Sequence, residues 1–172
     1  MKTGNLLIAA LILLAPLSAN AGRLLREATD AALVPVADGH PATAVLRLDL
    51  SEVPQGAHLV GAILEGAMEN LPTDGSLWFA AYPIRSDWDQ REVRAGEEEV
   101  AVDEEPTATW EISPLDYERN GGFVRLDLTD LAQSWRGRDR ANHGVMIVAE
   151  GIDAEVLQAG LSQLKLVLLY SE

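Results

Sequence analysis

One strand motif is written twice in this chain, and it limits what the chain can fold into. Val45-Leu46-Arg47-Leu48-Asp49-Leu50-Ser51-Glu52-Val53 returns as Phe123-Val124-Arg125-Leu126-Asp127-Leu128-Thr129-Asp130-Leu131. Each copy alternates apolar with polar residues, the period of a β-strand with one buried face. Leu46, Leu48 and Leu50 point one way and Arg47 and Asp49 the other. Val124, Leu126 and Leu128 likewise oppose Arg125 and Asp127. Each copy then meets a hydroxyl and an acid, Ser51-Glu52 or Thr129-Asp130, which signals a strand stop and a turn or helix cap. Two such strands about 80 residues apart predict the two halves of a β-sandwich.

Other segments repeat the signal. Ala57 to Met68 is apolar on both faces, with Val60, Ala62 and Leu64 against Leu59 and Ile63, as expected of a central strand. Leu77 to Ile84 sets Trp78, Ala80, Tyr82 and Ile84 against Leu77, Phe79 and Ala81. Thr107 to Ile112 predicts a short strand carrying Trp110. Gly144 to Ala149 and Leu161 to Tyr170 predict the last two. Turn chemistry separates them at Val53-Pro54-Gln55-Gly56, in the Pro- and Gly-bearing stretch from Asn70 to Ser76, at Asn120-Gly121-Gly122 and at Asn142-His143-Gly144. Arg23 to Pro41 is weaker, a short helix or an irregular lead-in to an edge strand at most, because Pro35 cannot donate to a ladder. Gly151 to Gly160 is a loop or short helix. Residues 129–136 predict one short helix, with Leu131 and Trp135 on one face and Gly137 as its stop. The expected fold is therefore an all-β antiparallel sandwich of jelly-roll type with a single short helix.

Residues 1–21 have the pattern of a secretory signal peptide: Lys2, an apolar run from Leu6 to Leu14, and the small-x-small site Ala19-Asn20-Ala21. Cleavage after Ala21 is expected, with the protein secreted or periplasmic and residues 22–172 forming one domain. The run is shorter than the roughly 20 apolar residues of a membrane span. The sequence holds no cysteine, so neither disulfides nor a lipid-modified cysteine enters the reading. The formal charge is −14, which disfavours nucleic acid and anionic membrane surfaces, since both are held by Lys and Arg.

The search for chemistry is mostly negative. His40, His58 and His143 are scattered in or beside predicted turns, and no zinc, phosphate-loop or nucleophile-elbow spacing occurs. Arg85 to Pro106 holds Trp88 and an acidic tract, Glu97 to Glu99 and Asp103 to Glu105, expected to be a solvated loop. Asp49 and Asp127 recur at equivalent places and could serve as calcium ligands. Alternatively each carboxylate caps its own turn or pairs with an arginine such as Arg47 or Arg125, and this is the reading preferred. No cofactor is expected. Of the four tryptophans, Trp110 is expected to be the most exposed and is the candidate ligand-stacking residue.

The order of these motifs resembles the DNRLRE-domain family of exported bacterial and archaeal β-sandwich modules, some classed as carbohydrate-binding. The matching segments are Leu48-Asp49-Leu50-Ser51, Val53-Pro54, Gly56-Ala57, Ala62-Ile63-Leu64, Tyr82-Pro83-Ile84 with Trp88-Asp89, Asp127-Leu128-Thr129 with Trp135, and Asn142-His143-Gly144-Val145, spanning roughly residues 42–170. Two features depart from the family pattern. Its N-terminal strand is missing or shortened between Arg23 and His40, and Val93-Arg94 stands where the family has Thr-Trp. The resemblance implies core positions for Trp88 and Trp135 and a polysaccharide ligand. A structural or adhesion module binding a surface protein is the alternative, and a carboxylate-based glycan hydrolase or lyase the third.

Overall fold

The computed structural model describes residues 21–37, 39–72 and 75–172. The signal-like segment thus lies outside the described residues up to position 20, as do two residues of the loop before position 76. Nine strands are described: β1 (Ala21–Arg26), β2 (Asp30–Val34), β3 (Ala42–Arg47), β4 (His58–Ala67), β5 (Leu77–Pro83), β6 (Ala108–Ile112), β7 (Phe123–Asp127), β8 (Val145–Glu150) and β9 (Lys165–Ser171). They form two antiparallel sheets, ordered β1-β9-β4-β7 and β2-β3-β8-β5-β6. With β2 set aside as an added edge, these are the two four-stranded sheets of a jelly roll. Most successive strands alternate between sheets, which closes the sandwich without parallel pairing.

The repeated motif divides between the sheets, β3 in the five-stranded one and β7 in the four-stranded one. Both copies keep the expected phase: Leu46, Leu48, Val124, Leu126 and Leu128 are buried between the sheets. Phe79, Ile147, Leu166 and Leu168 complete this core. Leu48 and Leu50 continue the inward alternation although the β3 ladder ends at Arg47.

Several expectations are corrected. The described part of the segment before Pro41 is not helical, and from Ala21 to Val34 it is mostly strand. It forms β1 and β2, one edge strand for each sheet, because β9 and β3 offer free ladder groups along their whole length. β4 is central, as its two-sided hydrophobicity predicts, but a bulge between Leu59 and Gly61 rephases it. Leu59, Ala62 and Leu64 therefore face the core, while Val60 turns out to solvent at 59 % exposure.

Four helices replace the single one expected among the described residues. These are α1 (Gln90–Ala95), α2 (Pro114–Asn120), α3 (Thr129–Gly137) and α4 (Ala154–Leu161). α3 is the predicted helix, and it buries Leu131, Ala132 and Trp135 against the end of the core. It runs through Gly137 and ends at Arg138, which takes the left-handed conformation at φ 64°. α4 falls in the Gly151–Gly160 segment expected as a loop or short helix, extends it to Leu161, and contributes Leu157 and Leu161 to the same core. α1 lies within the supposed loop. Its sequence signal is Asp89, whose carboxylate accepts from the N–H groups of Arg91 and Glu92.

α1 and the chain around it cover half of the outer face of the five-stranded sheet. Ala32, Val45, Ile84, Trp88, Val93 and Val100 form a second, smaller core there. This layer is bolted to the turn at Asn142-His143-Gly144. The Asn142 amide donates to the Leu48 carbonyl at 2.8 Å and the Trp88 indole to the His143 carbonyl at 2.8 Å. Gly144, at φ 91°, packs so close to the Leu46 carbonyl that a Cβ has no room. Three motifs far apart in sequence thus meet at one point.

Candidate functional site

Trp110 lies on β6, the outer edge of the five-stranded sheet. It is paired with Phe79, which is buried, so both side chains point between the sheets. At an edge no further strand of the same sheet covers it. The indole instead lies across the open side of the sandwich toward β7, the edge of the other sheet, and donates to the Phe123 carbonyl at 3.0 Å. This fixes the ring while leaving it 36 % exposed.

A groove of about 520 Å³ opens beside the indole, lined by Glu111, Ile112, Asp116, Phe123 and Arg125. It continues along β6 and β7 past Thr107, Thr109 and Asp127 to Thr129 and Asp130 at the start of α3. Asp116 is placed by α2. Ser113 caps that helix, with Pro114 in its first turn, and the hydroxyl accepts from the Asp116 N–H while the Asp116 carboxylate accepts from Ser113. The Ser113 side-chain and backbone donors hold the Asp116 carboxyl below its ordinary value. The Ser-Pro-x-Asp pattern was the available signal for α2, and the strand period alone did not reveal it.

Asp49 and Asp127 occupy equivalent turns. Asp49 accepts from the Ser51 N–H at 2.8 Å and from its hydroxyl at 2.9 Å. Asp127 accepts from the Thr129 N–H at 3.0 Å and from its hydroxyl at 2.6 Å. The carboxylate, rather than the hydroxyl, therefore satisfies the N–H at the start of α3. The Thr129 hydroxyl instead accepts from the Ala62 N–H on β4. The arginine pairing does not occur as expected: Arg47 binds Asp30 and Asp87, and Arg125 approaches Glu65 at 3.8 Å. Asp49 follows β3 of the five-stranded sheet and Asp127 ends β7 of the four-stranded one, and among the described residues no three acidic or histidine side chains converge as metal ligands would. His40 and His58 are exposed, and His143 sits in the turn already described.

The acidic tract is only partly solvated. Glu98 accepts from the Asp89 N–H at 2.8 Å. Asp103 takes both arms of the Arg140 guanidinium at 2.6 and 2.8 Å. Hydrogen bonding to Arg140 holds the Asp103 carboxyl low, and Asp103 in turn raises Arg140. A further hollow of about 500 Å³ beside Arg140, lined by Arg85, Ser134 and His143, thus has one of its cations already neutralised.

Trp88 and Trp135 are buried, as expected. Trp78, not Trp110, is the most exposed tryptophan, at 48 %. It stands on the outward face of β5, which α1 leaves uncovered at that end. No family model matches this chain, and no curated protein matches it significantly. Among the described residues no helix is long and apolar enough to cross a membrane.

Proposed function

We propose that this chain is an exported, non-catalytic binding module and that carbohydrate is the ligand class of the groove between β6 and β7. The observation that carries the reading is the half-exposed Trp110 indole, pinned by its own hydrogen bond in an open groove. Sugars bind by laying apolar C–H faces on such rings while nearby polar groups take their hydroxyls. Asp116, Arg125 and Thr109 line the same groove. The resemblance to DNRLRE-domain modules points to the same ligand class. The non-catalytic reading is supported by Asp116 and Asp127, both committed to their own turns. A glycosidase acid needs a raised pKa, whereas Asp116 is lowered.

A glycan array followed by titration of the best ligand tests this. Trp110→Ala should abolish binding while the melting temperature moves by only a few degrees. Unchanged affinity in a folded variant would overturn the groove assignment. Export is tested by N-terminal sequencing of the extracytoplasmic protein, which should start at Gly22; an intact Met1 would refute cleavage.

A protein partner is the second reading. It is favoured by exposed Leu25 and Leu169 on the four-stranded sheet, at 53 % and 38 %. A partner that co-purifies with the protein, and is lost on Leu25→Glu with Leu169→Glu, would support it.

A further inference from the structure

The outer face of the five-stranded sheet carries a second aromatic surface, which meets the Trp110 groove only at Thr109. Trp78 and Tyr82 stand four residues apart on the outward side of β5, about 13 Å along the strand. Between them Ala80 leaves a trough, walled by Pro106 and Thr109 on one side and Val148 on the other. The layer around α1 covers the part of this face at Val45 and Ile84 and leaves the trough open. Tyr82 pairs with Met146, which packs under that layer, and this seats one end of the trough against a wall.

The charge of this trough has one sign. Glu111 on β6 and Glu150 on β8 are the register partners of Trp78 on either side. Of these two exposed carboxylates, Glu150 lines the trough beside the indole, whereas Glu111 borders the Trp110 groove. Pro106 is preceded by exposed Glu104 and Glu105. Among the described residues no Arg or Lys lines the trough, and the chain as a whole carries −14. A stacking surface flanked by unpaired carboxylates repels uronic acids and sulfated sugars and attracts amines.

We infer that the Trp78–Tyr82 trough is a subsite for a polysaccharide of amino sugars with free, protonated amines. The indole and phenol stack on sugar rings, and Glu150 receives an ammonium group. This rests on the carbohydrate reading above but concerns a different surface and fixes the charge of the ligand.

The test is calorimetric titration with three oligomers of equal length: a β-1,4-glucosamine hexamer, its N-acetylated counterpart and an oligouronate. The titrations are run at about pH 5.5, where the sugar amines are protonated. The glucosamine hexamer should bind best, and affinity should fall with added salt. Trp78→Ala should weaken it about tenfold and Trp78→Tyr less. Glu150→Gln should weaken it about threefold. Thermal melts of each variant confirm folding, which an exposed side chain should not control. Equal binding of the N-acetylated hexamer, or tighter binding of the oligouronate, overturns the charge assignment. Unchanged affinity in Trp78→Ala overturns the site. If another glycan binds through Trp110 while the glucosamine hexamer does not, this inference falls and the groove reading stands. If no glycan binds at all, both fall.

Discussion

The Arg47 guanidinium lies over the face of Trp88, 4.9 Å from the ring centroid. The same guanidinium donates to the Trp88 carbonyl at 3.0 Å and to Asp87 at 2.9 Å, and approaches Asp30 at 3.3 Å. One side chain on β3 thereby ties β2 and the loop before α1 to the sheet. The indole it covers is in turn hydrogen-bonded to the His143 turn.

Trp88→Phe keeps the apolar ring but removes the donor to the His143 carbonyl. It should cost about 1–3 kcal/mol, the range for leaving a buried acceptor unmade. Arg47→Lys should cost about 1 kcal/mol, because an ammonium cannot stack flat and reach three acceptors in one plane. Chemical denaturation of both variants measures this. Less than about 0.5 kcal/mol for Trp88→Phe would mean the outer layer is not coupled to folding.

Leu48→Ala and Leu126→Ala should each destabilise by about 2–5 kcal/mol. The two leucines are equivalent in the repeated motif and are 1 % and 0 % exposed in the same core. Denaturant melts that separated them by more than this range would contradict a single cooperative core.

Acid should weaken the Asp103–Arg140 pair in a defined window. Asp103 titrates below its ordinary 3.8 in the folded chain, so the unfolded chain binds the proton first as pH falls. The stabilisation is therefore present above about pH 4 and is lost as pH drops through the lowered folded value. The pair is about one-third exposed, so its whole worth is about 1 kcal/mol or less. Asp103→Asn should lower stability at pH 7 and converge with wild type near pH 2. A constant difference between the two across that range would show that protonation of Asp103 is not the cause.

Calcium should not stabilise this protein selectively. Asp49 and Asp127 each spend oxygen lone pairs on their own turns. Calcium needs six to eight oxygens around one centre. Millimolar Ca²⁺ and Mg²⁺ should shift the melting temperature slightly and equally, by screening a chain of −14. A large shift with Ca²⁺ alone would demand selective binding to the folded state.

Alternation along the chain decided the direction of side chains before any packing was considered. Leu46, Leu48, Val124 and Leu126 turn inward because the strand period is local, and Asp127-x-Thr129 makes its turn with its own atoms. The turn at Asn142-His143-Gly144 is local in the same way. Burial is not local, since it depends on what distant chain covers a face. Ala21 pairs with Ser171, so β1 had no signal until its partner was in place. Trp78 and Trp110 both stand in alternating strands. One points outward beyond the reach of α1, and the other inward at an edge that β7 only partly closes. Val60 lost its expected place to a bulge set by the β4–β9 register. Residue order therefore determined the strands of the repeated motif, their buried faces and their turns. Tertiary structure decided the edges, the outer layer and the exposed indoles, because those follow from contacts between segments that the local period cannot relate.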